Sequence, residues 1–135
     1  MAICRRARPL RTGGGEVGTT VYDAAQLARH LVDVASDKKA SDVVLLNVSE
    51  LTTIADYFVI CSGTSERQVQ GIAEAILEAG KAEARRPLGV EGASAGRWIL
   101  VDFGDVIAHV FAPEEREYYK LERLWGDAPV VVHIQ

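Results

Sequence analysis

Two short apolar runs constrain this chain more than anything else in it: Val43-Val44-Leu45-Leu46, within residues 42–48, and Tyr57-Phe58-Val59-Ile60-Cys61. A buried helix needs about 10–12 residues, so runs this short read as strands covered on both faces. Two interior strands require a sheet with helices packed against it. The rest of the chain supplies them.

Over 21–38, Leu27, Leu31, Val34 and Ala35 recur at helical spacing beside Ala24 and Ala28; Asp23 suits the start of a helix and Lys38-Lys39 its end. Ser62-Gly63-Thr64-Ser65-Glu66 opens a second helix reaching about residue 84. Thr64 or Ser65 caps it, and Val69, Ile72, Ala73, Ile76, Leu77 and Gly80 form its buried stripe. Residues 85–95 carry Pro87, Gly89 and Gly92, which marks a loop with room for a short strand at 88–90. Pro113 starts a last helix with Glu114 and Glu115 in its first turn; Tyr118, Leu121 and Trp125 fall on one side of it, and Gly126 ends it. The apolar stretch 129–134 can add an edge strand. The class is therefore α/β, a mixed sheet of four or five strands packed with helices, in one domain over residues 19–135.

Between these elements, residues 96–112 read as two strands joined at Asp102-Phe103-Gly104-Asp105, with Val101 opposite Val106 and Trp98 opposite His109. Alternation sorts their side chains. Ile99, Val101, Val106, Ala108 and Val110 share a small, branched face suited to a core. Trp98, Leu100, Asp102, Asp105, Ile107, His109 and Phe111 share the other. Large aromatics beside acids and a histidine make the composition of a partner-binding patch, and these seven are the candidate site. The competing reading covers this face with one of the protein's own helices.

Charge narrows the partner. Arg5, Arg6, Arg8, Arg11 and Glu16 lie before residue 17, so the 15 basic and 19 acidic residues of the chain become 11 and 18 in the body, about −7. Such a surface repels phosphate, so a basic protein is favoured and little direct nucleic-acid contact is expected. Residues 1–18, with their arginines and Gly13-Gly14-Gly15, read as a disordered basic tail. Gly15-Glu16-Val17 can be encoded by a purine-rich ribosome-binding sequence with Val21 as a GTG start downstream, which makes the tail a candidate misassigned start. No apolar run nears the roughly 20 residues of a membrane span, and the first residues lack a secretory core, so the cytoplasm is expected. Cys4 and Cys61 stand too far apart in sequence to argue for a disulfide or metal site, and Cys61 reads as a small buried hydrophobe.

Catalytic readings find less support. Ser62-Gly63-Thr64-Ser65 can cradle a phosphate on free amides, which makes a nucleotide-binding or nucleotidyltransferase-like enzyme the alternative function; capping explains the same residues, and no metal-holding acid pair follows on a strand. Asp102, Asp105 and His109 have no nucleophile beside them, and both acids suit a turn. No catalytic, metal or cofactor site is expected.

Four stretches together resemble the ribosomal silencing factor, or Iojap-related, family: Ala55-Asp-Tyr-Phe-Val-Ile-Cys-Ser-Gly-Thr-Ser-Glu-Arg-Gln-Val69, Gly96-Arg-Trp-Ile-Leu-Val-Asp102, Asp105-Val-Ile-Ala-His-Val-Phe111 and Arg116-Glu-Tyr-Tyr-Lys-Leu-Glu-Arg-Leu-Trp-Gly-Asp127. The resemblance runs from about Val21 to Val131. It implies a nucleotidyltransferase-like fold without the metal acids and a non-enzymatic translation repressor. Such a factor binds the large ribosomal subunit at its protein numbered fourteen and blocks joining of the small subunit. The family's contacts map here to Trp98, Leu100, Asp102, Asp105, Ile107 and His109. A homodimer of the free protein is a further use for the same aromatic face.

Overall fold

The computed structural model describes residues 17–134, with side chains from Ala24 onward except at position 122. Its elements are α1 (Val17–Asp37), β1 (Ser41–Asn47), β2 (Tyr57–Ser62), α2 (Glu66–Ala82), β3 (Gly89–Glu91), β4 (Trp98–Asp102), β5 (Val106–Phe111), α3 (Pro113–Tyr119), α4 (Leu121–Leu124) and β6 (Val130–Ile134). The strands form one mixed sheet in the order β3-β4-β5-β2-β1-β6. β2 and β5 pair in parallel and every other pair is antiparallel. Six strands exceed the four or five expected, because both edge segments, β3 and β6, complete the ladder. The expected helix over 21–38 begins at Val17; the expected basic tail otherwise lies outside the described residues.

The two apolar runs occupy β1 and β2, inside the sheet and buried on both faces. On one face, Val43, Leu45, Val59, Cys61, Ile99, Val101, Val106, Ala108 and Val110 meet α1 and α2. α1 contributes Ala24, Leu27, Ala28, Leu31, Val32 and Ala35, and α2 contributes Val69, Ile72, Ala73, Ile76 and Ala79, both at the spacing of one helical face. Cys61 lies in this layer, where burial pushes its thiol up to about 12 and keeps it protonated. On the other face Val44, Leu46, Phe58, Ile60, Leu100, Ile107 and Phe111 meet Val48, Ala55, Leu121 and Ala128, with Trp98 and Trp125 packed at the side.

α2 starts where the sequence sets it. Ser65 is the N-cap, its hydroxyl accepting from the Gln68 amide at 3.1 Å. Gln68 accepts in turn from the Thr64 amide at 2.6 Å and donates to the Lys38 and Lys39 carbonyls at 3.2 and 3.1 Å, tying the start of α2 to the turn after α1.

Candidate partner-binding surface

The β4–β5 hairpin turns one step later than expected. Trp98 pairs with Phe111, Leu100 with His109, Val101 with Ala108 and Asp102 with Ile107, and the Phe103 amide closes the ladder on the Val106 carbonyl at 2.9 Å. The two turn residues are thus Gly104 and Asp105. The expected register would have put Phe103 first in the turn, where a hairpin asks for positive φ; Gly104 takes that place at φ +97. The slip is two residues, so the pairing changes while every side chain keeps its face.

Both faces hold the expected side chains, but the second is not open. Leu100 and Ile107 are 1 % exposed, and His109 and Phe111 are fully buried. The chain after β5 causes this: α3, α4 and Trp125 fold back over the sheet, with Tyr119 against Trp98 (4.5 Å between ring centroids) and Trp125 edge-on to Phe58 (5.2 Å). The expectation that these four side chains face outward is therefore corrected; they are the bed under a helical cover. Trp98, Asp102 and Asp105 stay half-buried at its margins.

The cover also departs from the single helix expected after Pro113. Lys120 adopts a left-handed conformation (φ 47, ψ 53), which ends α3 and starts α4 in a new direction. Leu121 and Trp125 still turn inward, whereas Tyr118, expected beside them, stands 79 % exposed.

Trp98 sits on the bed in a fixed orientation. Its ring packs on Phe111 (4.6 Å) and Tyr119, and its Nε1 donates to His109 Nδ1 at 3.3 Å. That bond makes Nδ1 the acceptor and leaves the proton of the neutral imidazole on Nε2, a buried atom with no hydrogen-bond partner. Burial pushes the His109 pKa down to about 3, so the ring is neutral at physiological pH. His109, expected in a partner-binding patch, thus turns its Nδ1 to the indole of the same chain.

The two turn acids serve the turn. Asp102 Oδ1 accepts from the Gly104 amide at 2.8 Å, as an Asx turn does. Asp105 pairs with Arg85 from the loop after α2, and its carbonyl accepts from the Asp56 and Tyr57 amides at 2.8 and 3.1 Å.

Two arginines outside the expected site fasten the cover. Arg97, before β4, donates to Glu115 at 3.0 Å, to Glu114, and to Glu66 of α2 at 3.2 Å. The hydrogen bond from Arg97 holds Glu115 below the usual carboxylate range. Arg116 points inward from α3, donating to Ser62 Oγ at 2.7 Å and to the Asp42 carbonyl at 2.9 Å; Asp42 also accepts from it at 3.2 Å through its carboxylate. The signal available for both was an arginine at the end of an apolar strand or inside a short helix, too common to single out. On the other layer His30 of α1 pairs with Glu83 just past α2.

The loop weighed as a phosphate cradle spends several of its donors internally. Gly63 N bonds the Phe111 carbonyl at 2.9 Å, Thr64 N bonds Gln68, and the Gln68 amide bonds Ser65. Among the described residues, no group of three or more His, Cys, Asp or Glu is placed to hold a metal ion, and no helix is long and apolar enough to cross a membrane.

A mixed sheet with two helices on one face, and on the other an aromatic bed with a short latched cover, defines an α/β domain whose most distinctive chemistry is a surface of rings and carboxylates. The family model described as "Ribosomal silencing factor during starvation" matches residues 21–135. The ribosomal silencing factor of Halalkalibacterium halodurans is 46 % identical over 106 residues, covering 78 % of this chain and 91 % of that one. The Mus musculus protein named "Mitochondrial assembly of ribosomal large subunit protein 1" is 36 % identical over 98 residues, covering 70 % and 43 %. A crystal structure of a Chromobacterium violaceum protein superposes with a TM-score of 0.75 at 34 % identity, covering 76 % of this chain and 86 % of that one. The chain belongs to the ribosomal silencing factor family.

Proposed function

We propose that this protein represses translation by binding the large ribosomal subunit at its protein numbered fourteen and keeping the small subunit from joining, as a cytoplasmic factor that acts by occupancy, not catalysis. The observation that carries the reading is Trp98: a large ring, half-buried and oriented by His109, at the margin of a bed in a body of about −7 charge. Ribosomal proteins are basic, so this surface attracts them, and a preformed aromatic anchor loses little freedom on binding. Membership of the silencing factor family and the large-subunit wording of the mouse relative's name support the same partner. Trp98 and Asp102 are the members of the expected site that reach the surface; Asp105 is held by Arg85 with its side chain 10 % exposed, and Leu100, Ile107, His109 and Phe111 act as the bed.

The test is sedimentation of purified subunits with and without the protein. The wild type should leave free subunits where the control forms joined ribosomes, and Trp98→Ala should lose the effect. Because Trp98 also packs on Phe111 and Tyr119, the variant is read below its own unfolding transition. Full joining in the presence of excess folded wild type would refute the function.

A further inference from the structure

With the bed covered, the cover itself forms much of the outer surface on this side of the sheet. Several large apolar side chains are exposed on the molecule, at Leu51, Leu88, Leu124 and along β6, but one group stands out as linked rings. Trp98 meets Tyr119 at 4.5 Å, and Tyr119 meets Tyr118 at 5.0 Å with ring planes at 89°. Tyr119 is 46 % exposed and Tyr118 79 %. A row of amphipathic rings leading from a half-buried anchor to a fully presented one is costly to leave in water and has the composition of a binding hot spot.

The charge beside the row leans acidic, with three glutamates of α3 against Arg97, which pairs with Glu114 and Glu115, and Lys120. α3 holds Glu114, Glu115 and Glu117, while its single base, Arg116, is buried and spent on Ser62 and Asp42. Glu117 keeps a side chain 80 % exposed with Lys120 as its neighbour. What α3 shows outward is therefore aromatic and acidic.

We propose that Trp98, Tyr119 and Tyr118, edged by Glu114 and Glu117, form a docking surface for a basic protein, with Tyr118 inserted into an apolar recess of that partner. The proposal rests on the function above and extends it: the contact runs off the sheet margin onto α3, and the partner is a basic protein of the large subunit. The backbone break at Lys120 gives the surface its shape, since a continuous helix would have turned Tyr118 towards Leu121 and Trp125.

Binding of the full chain to purified large subunits, measured with Tyr118→Ala, Glu117→Lys and Glu74→Lys, decides the matter. Tyr118→Ala and Glu117→Lys should each weaken binding about tenfold or more with unfolding midpoints close to wild type, because neither side chain is buried. Glu74 lies exposed on α2, on the opposite layer, and Glu74→Lys makes the same charge change there; binding should stay within about twofold. If Glu74→Lys weakens binding as much as Glu117→Lys, general electrostatic attraction explains the result and the surface is overturned. Wild type binding while Tyr118→Ala binds equally well sinks this proposal alone; wild type failing to bind sinks the function with it. If Tyr118→Ala instead dissociates a dimer and leaves subunit binding intact, the occupant is a second copy and the proposal is wrong.

Discussion

Acid should unfold this protein partly through one imidazole. His109 is fully buried, with a folded pKa near 3 against an ordinary value of 6.5. The unfolded chain therefore takes up this proton first as pH falls, so the histidine's share of stability is complete above pH 6.5 and is lost progressively towards pH 3. Each pH unit in that window is worth about 1.4 kcal/mol for one proton, so acidification from 6.5 to about pH 4 should remove about 3 kcal/mol through His109 alone. His109→Leu deletes the titration and also leaves the Trp98 indole without its acceptor, a cost of about 1–2 kcal/mol at neutral pH. The wild-type and variant curves of unfolding free energy against pH should then cross at about pH 5 to 6. Urea titrations followed by tryptophan emission, repeated with His109→Phe, measure both curves, and carboxylates common to all three proteins cancel in the difference. Parallel curves between pH 6.5 and 4 would show that this ring is not held neutral by burial, and the tautomer argument would fall with it.

Three further substitutions probe the frame. A Cβ on Gly80 would stand 2.5 Å from Phe103 Cε1 and 3.0 Å from the Arg85 carbonyl, so Gly80→Ala should destabilise by about 1–3 kcal/mol, and adding Phe103→Leu should change that cost measurably in a double-mutant cycle. Arg116→Met strips Ser62 and Asp42 of their shared donor and should cost about 2–3 kcal/mol in urea unfolding, with Arg116→Lys recovering only part because it lacks the planar fork. Ala84 is exposed with φ 58, so Ala84→Gly should raise stability by about 0.5–1 kcal/mol in the same assay, and a loss there would contradict the strain assigned to that position.

The period of two was the most legible signal in this chain. It sorted Ile99, Val101, Val106, Ala108 and Val110 from Leu100, Ile107, His109 and Phe111 correctly even though the register was off by two, since an even slip cannot move a side chain across the sheet. The unbroken runs at Val43–Leu46 and 57–61 likewise placed β1 and β2 inside. What they could not carry was the identity of the second cover. Unbroken runs already required both faces to be covered, yet the segment over the second face is two helices of seven and four residues, shorter than a hydrophobic period can reveal. The break between them sits at a lysine, where no glycine or asparagine announces a left-handed residue.

Acids that hold the fold differ in their contacts from acids that face a partner. Composition alone treats Asp102, Asp105 and Glu117 alike. Asp102 fixes the Gly104 amide, and Asp105, its side chain 10 % exposed, pairs with Arg85, so reversing either charge disturbs the hairpin before any partner is met. Glu117 meets only Lys120 among the described contacts, at 3.1 Å on the outside of a helix, a pair worth a few tenths of a kcal/mol at most by the general behaviour of exposed ion pairs. A binding defect at Asp105 is thus ambiguous between lost shape and lost attraction, whereas a defect at Glu117 reports attraction. The acid that draws a basic partner is better sought at Glu117 of α3, whose side chain is 80 % exposed on the outside of the helix, than in the turn where the sequence first drew notice to carboxylates.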